Sequence, residues 1–183
     1  KNPSVTIDVS SFDTAQWRDV KTVYRDFEGD AIPRDWYSFD GSFSYVDDSA
    51  RNDIVRTSVC RDATYLYFRV ETKDEITQRA ENDTKWMNLM IKTGSDGSAG
   101  IFGYEYFINR NVDGNKTSVQ KYDGKTYNDI GTGDVYVRGN VMQVRVKLSD
   151  LGLDANDYQM EFKVTDNIKK VNDVLSYYST GDS

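Results

Sequence analysis

Between Ile54 and Thr93, apolar and polar residues alternate in three runs of strand length: IVRTSVC, YLYFRVETK and WMNLMIKT. Only Arg61-Asp62-Ala63-Thr64 separates the first two, a stretch with turn chemistry. In the second run Leu66, Phe68 and Val70 fall on one face, with Tyr65, Tyr67 and Arg69 on the other. Successive side chains of a strand point to opposite sides, so a period of two predicts an antiparallel sheet with one face buried.

The pattern continues downstream. Tyr104 to Asn109 alternates with Tyr104, Tyr106 and Ile108 on one side, and Asp113-Gly114 and Asp123-Gly124 bracket Thr117 to Tyr122 as successive hairpins do. Val135 to Arg138, Gly139-Asn140 and Val141 to Leu148 read as one hairpin. Its second strand points Met142, Val144, Val146 and Leu148 inward and turns Gln143, Arg145 and Lys147 to water. Ser149 to Leu153 predicts a helical turn, and Tyr158, Met160, Phe162 and Val164 a last inward stripe. Weaker strand signals lie at Val5 to Val9, Val20 to Tyr24 and Ser42 to Val46; only Asp74 to Asn82 has helical character. Gly131-Thr132-Gly133 reads as a flexible turn.

About ten strands, with neither a linker nor a repeat, predict one all-β domain over residues 1–183. The expected architecture is an antiparallel β-sandwich, jelly-roll or immunoglobulin-like, in two sheets. Residues 1–22 belong to it or form an N-terminal extension. A chain of 183 residues buries a core without disulfide or metal staples.

Composition then limits function. The 13 Tyr, 8 Phe and 3 Trp make the chain rich in aromatics, and no apolar run approaches the roughly 20 residues of a membrane span. A net charge of −7 disfavours nucleic acid, anionic membrane and strongly acidic polysaccharide unless a local basic patch overrides it; no basic run occurs. With zero histidines the chain has no Ser-His-Asp triad, no Cys-His pair and no His-based zinc site. Cys60, alone and inside a predicted strand, reads as a small buried hydrophobe. Glycosidase chemistry stays open, since it needs only two carboxylates about 5 to 10 Å apart. The 30 acids supply such pairs by chance, so the expectation is a protein without catalysis of its own.

Several segments in order carry a resemblance: Arg51-Asn52-Asp53-Ile54, Leu66 to Thr72, Trp86-Met87-Asn88-Leu89, Gly103 to Arg110, Phe162 to Asn167 and Gly181-Asp182-Ser183. Together they resemble a β-sandwich domain at the C-terminal end of large bacterial carbohydrate-active and cell-surface proteins. That domain is related in pattern to family-9 carbohydrate-binding modules and the DOMON-like group. The likeness spans Val23 to Ser183 and departs at Phe102, where a tryptophan is expected. It implies an exported protein (extracellular, periplasmic or at the cell surface), a domain cut from a longer chain, and often a structural calcium.

Sugar recognition needs flat apolar faces for pyranose C–H groups and planar polar groups for hydroxyls. Trp36 and Tyr37, beside Arg34 in an acidic aromatic loop, form the best cluster; Trp17 and Trp86 are further candidates that equally serve as packing. Asn109 and Arg110 close a strand and suit hydroxyls or a carboxylate. Asp26, Glu28 and Asp30, with Asp47 and Asp48, are the oxygen donors a Ca2+ ion would use. The expected function is non-catalytic carbohydrate binding. The alternatives are a structural domain packing on neighbouring domains of its parent, and a carboxylate- or tyrosine-based hydrolase or lyase.

Overall fold

The computed structural model describes residues 4–25, 34–37, 44–47, 51–93, 104–154, 160–166 and 169–170, with backbone alone at 25, 34–37, 44–47 and 169–170. The strands are β1 (Val23–Arg25), β2 (Arg34–Tyr37), β3 (Ser44–Asp47), β4 (Ile54–Arg61), β5 (Tyr65–Thr72) and β6 (Asn88–Lys92). They continue with β7 (Tyr106–Asp113), β8 (Lys116–Tyr122), β9 (Tyr127–Arg138), β10 (Val141–Lys147), β11 (Glu161–Thr165) and β12 (Lys169–Lys170). Two short 3-10 turns, Thr14–Trp17 and Ser149–Leu151, are the helical elements among the described residues. None is long and apolar enough to cross a membrane. The helix anticipated at Asp74 to Asn82 does not form, and Val5 to Val9 runs irregularly although Ile7 and Val9 are buried.

Nine strands pair antiparallel in the order β1-β4-β5-β10-β9-β8-β7-β6-β11, and β12-β3-β2 make a separate small sheet. The fold is all-β, as the alternation predicts. The main ladder, however, is continuous where the pattern suggested two sheets, and β9 is the reason. Its first part, to Gly133, pairs only with β8, its last residues only with β10, and Asp134 alone pairs with both, opposite Lys116 and Arg145. The register slips at Val119/Gln120, where Ile130 is the extra residue of a bulge. Bulges bend a strand and increase its twist.

Gly131 and Gly133 sit inside this bent strand rather than in a turn. A Cβ at Gly133 would lie 2.7 Å from the Arg145 carbonyl oxygen and 2.9 Å from Val146 Cγ1, while one at Gly131 would meet the Asp150 carboxylate. The glycines permit close packing at the bend. With that bend the sheet curls until its end strands touch: Tyr24 of β1 and Phe162 of β11 meet edge to face, ring centres 4.9 Å apart.

The inside of the curl is the core. Leu66, Phe68 and Val70 of β5 meet Met142, Val144 and Val146 of β10, Val119 of β8, Ile108 of β7 and Leu89 and Ile91 of β6. Burial of each such side chain contributes about 1.5–3 kcal/mol. The outside is covered twice. Residues 4–22 lie over β4, β5 and β10, where Ile7, Val9 and Trp17 pack on Cys60 and Tyr67. Farther round, Met90, Phe107 and Tyr122 form a third cluster with Tyr104 and Tyr127. Tyr104 therefore lies apart from Tyr106 and Ile108, with which the alternation had grouped it. Cys60 is buried among these groups, and burial, with Asp62 nearby, pushes its thiol up to about 12, so it stays protonated and inert.

Candidate functional site

Trp36, Tyr37 and Arg34, expected in a loop, lie on β2, opposite Tyr45, Ser44 and Asp47 of β3 in the register. Their side chains are outside the described residues, as are Asp26, Glu28, Asp30 and Asp48; Asp47 ends β3. Among the described residues, no group of three or more acidic, Cys or His side chains is placed to hold a metal ion.

Trp17 is buried, and its Nε1 donates to Gln143 Oε1 at 2.8 Å. Gln143 Nε2 in turn donates to the carbonyls of Val9 (3.0 Å) and Ser11 (2.9 Å). Gln143 thus does not face water: it is 0% exposed and anchors the N-terminal segment to the sheet. Trp86 is also buried, its Nε1 donating to the Thr77 carbonyl at 2.9 Å. It shares one core with Met87, Leu89 and Ile91 rather than facing the other way. Met87 has φ 43, and this left-handed residue breaks the alternation before β6 begins at Asn88.

Asn109 and Arg110 have different fates. Ile108 pairs with Val119 and Val112 with Thr117, so three residues of β7 bulge opposite Ser118 of β8. Asn109, at φ 71 and fully buried, is the strained residue of the bulge. Its N–H donates to Thr117 Oγ1 at 3.0 Å, and its Nδ2 to the carbonyl of Met87 at 2.8 Å. Two left-handed residues are therefore bonded to each other. Each such conformation costs about 1–3 kcal/mol and persists only where its surroundings enforce it. Arg79 adds a clamp, donating to the carbonyls of Arg110 (3.1 Å) and Val112 (3.5 Å).

The bulge aims Arg110 across the sheet. Its guanidinium carbon lies 3.5 Å from the centre of the Tyr127 ring on β9, a cation–π stack. Arg110 Nη1 donates to Gln120 Oε1 at 2.9 Å, and Gln120 Nε2 donates to Asp129 Oδ1 at 2.9 Å. Beneath, Tyr127 packs on Phe107 and Tyr122, ring centres 5.2 and 4.8 Å away. Asp129 is exposed and Arg110 and Tyr127 are half-buried. A planar cation, a carboxylate and an aromatic ring thus converge on one patch of the outer face around the buried Gln120 amide, and the cation and carboxylate suit hydroxyl-bearing ligands. Gln120, Tyr127 and Asp129 escaped the sequence reading because the register alone brings them beside Arg110; Gln120 stands between Phe107 and Asp129.

An ionic node built on the buried Asp166 supports the neighbouring loops. Arg51 donates from Nε to Asp166 at 2.7 Å and from Nη2 to Asp83 at 2.9 Å, and the Met87 N–H donates to Asp166 at 2.8 Å. Burial raises the Asp166 pKa even against Arg51, the Met87 amide and Asn52, which lower it. Comparison with family models, curated proteins and solved structures finds no match to this chain.

Proposed function

We propose that this is a non-catalytic carbohydrate-binding domain of an exported bacterial protein, which holds a larger enzyme or surface protein close to glycan. The observation that carries the reading is the patch of Arg110, Tyr127, Gln120 and Asp129, aimed by the strained bulge at Asn109. Strain of this kind gathers at ligand sites because packing must enforce it. In the same reading the curled sheet is a two-layer sandwich, β1-β4-β5-β10 against β8-β7-β6-β11, with β9 turning the corner. A structural Ca2+ held by acids of the 26–30 and 47–48 segments belongs to it as well.

The test is a glycan array of neutral and acidic oligosaccharides, followed by calorimetry on the hits. Binding is expected, with a loss of tenfold or more in Arg110→Ala; Trp36→Ala reports whether the small sheet contributes. A flat response to every glycan would sink the proposal and favour a domain that packs on neighbours in its parent.

A further inference from the structure

A group with chemistry of another kind stands at the tip of the β7–β8 hairpin. Asparagine followed by any residue but proline, and then by serine or threonine, is the acceptor of N-linked glycan in exported chains. The chain has two such triplets, Asn82-Asp83-Thr84 and Asn115-Lys116-Thr117; Asn2-Pro3-Ser4 is barred by its proline. The structure separates the two.

Asp113 of β7 pairs with Lys116 of β8, so Gly114 and Asn115 alone make the turn. Gly114 takes φ 58 as the first of them, the place where a two-residue turn calls for glycine. Asp113, Gly114, Asn115 and Lys116 are all exposed, and a Cβ built on Gly114 meets nothing within 4 Å. The Asn115 carbonyl accepts from the Val135 N–H at 2.9 Å, while its side-chain amide has no partner among the described residues. A group attached to Nδ2 therefore projects from a fixed turn into open space. Asn82 is exposed too, but it adjoins Asp83, which Arg51 and the Lys85 N–H hold at 2.9 and 3.0 Å. The residue two places earlier also differs: Asp113 before Asn115, Ala80 before Asn82. A carboxylate there gives an arginine of a transferase a charged partner.

Thr117 sets when the reaction can happen. A transferase must reach the threonine hydroxyl as well as the amide. In the folded chain Thr117 is 1% exposed, and its Oγ1 accepts from the Asn109 N–H at 3.0 Å. A lone hairpin is barely stable in water, so Thr117 stays within reach until β9 pairs with β8. An exported chain that emerges unfolded passes through that interval.

We propose that Asn115 is the acceptor of an N-linked glycan, added before β9 joins the sheet. Its Nδ2 attacks C1 of the first sugar of an oligosaccharide that a diphosphate links to a polyprenyl lipid. The C1–N bond forms and the C1–O bond breaks. The lipid diphosphate leaves with the electron pair, and an amide proton passes to a carboxylate of the transferase. The inference rests on the export contained in the proposed function, not on sugar binding by the domain.

The whole chain, behind a secretion signal, is expressed in bacteria holding an oligosaccharyltransferase that reads such an acid, and the exported protein is weighed intact. Expected is a gain of one oligosaccharide, mapped to Asn115 by peptide sequencing. Asn115→Gln and Asp113→Asn should lose it and Asn82→Gln keep it, with the melting temperature of Asn115→Gln unchanged. An unmodified chain beside a modified control acceptor in the same cells would overturn the proposal, as would a glycan on Asn82 alone. Given to the transferase in vitro, the folded chain should react at least tenfold more slowly than a peptide of residues 111–119. Equal rates would overturn the timing drawn from Thr117. The added signal supplies export and the glycan array decides sugar binding, so failure here is distinct from failure of the proposed function.

Discussion

Replacing Arg51 by Met keeps most of the aliphatic stem and removes the charge that joins three loops. The change strands Asp166, whose side chain is 3% exposed, and Asp83, at 18%. Breaking a buried ion pair from one side costs about 3–5 kcal/mol. Arg51 is itself 26% exposed and Asp166 keeps the Met87 N–H, so the lower end, about 3 kcal/mol near neutral pH, is expected. The loss depends on pH. Burial already lifts the Asp166 pKa above its ordinary 3.8, and without Arg51 it rises further. A carboxyl raised on folding adds stability while it is protonated, below its unfolded pKa, and that stability is lost as pH climbs through the folded pKa. The variant's folded pKa is the higher, so its penalty grows between the two folded values, by up to about 1.4 kcal/mol per pH unit. Urea unfolding followed by tryptophan fluorescence at about pH 5 and about pH 8 measures both effects. A loss under about 1 kcal/mol at the higher pH, or the same loss at both, would refute the reasoning. Adding Asp166→Asn to the variant removes the buried charge and should flatten the difference.

Gly133→Ala pushes a Cβ against the backbone oxygen of Arg145, which cannot step aside, and should cost about 1–3 kcal/mol in thermal unfolding. Gly131→Ala meets only the end of the Asp150 side chain, which can rotate away, so it should cost clearly less; equal effects would count against β9 as a close-packed corner. Gln143→Leu leaves the Trp17 indole and the Val9 and Ser11 carbonyls without their partner, a loss of about 2–4 kcal/mol at roughly 1 kcal/mol or more per group. Hydrogen exchange should then show residues 4–22 opening first, and unchanged protection there would contradict the anchoring role.

Where residues alternate and the turn chemistry is local, the strands were legible. The β9–β10 hairpin turns at Gly139-Asn140 as read, and Met142, Val144, Val146 and Leu148 all reach the core. Period-two reasoning fails where the backbone leaves the strand conformation, at Met87 and Asn109, because one left-handed residue resets which way the next side chains point. It fails also at Gln143, since a polar residue on an outer face looks solvated until a distant segment covers it; Trp17 lies 126 residues away in sequence. The Arg110 patch was half legible. The strand end marked Asn109 and Arg110 as candidates, but Gln120, Tyr127 and Asp129 join them through pairing that no local pattern encodes.

The place of β10 between β5 and β9 has a consequence for biosynthesis. Ribosomes deliver the chain from its N-terminus, so the β4–β5 hairpin is made well before the strand that completes it. Thr72 waits for Asn140, 68 residues later, to close the ladder. Until then β5 presents an unpaired edge able to recruit a strand from another chain. The β6 to β9 meander pairs neighbour with neighbour and has no such delay. A nascent chain halted before Val141 would therefore be half folded and adhesive. Prompt engagement of β10 protects the newborn protein from aggregation.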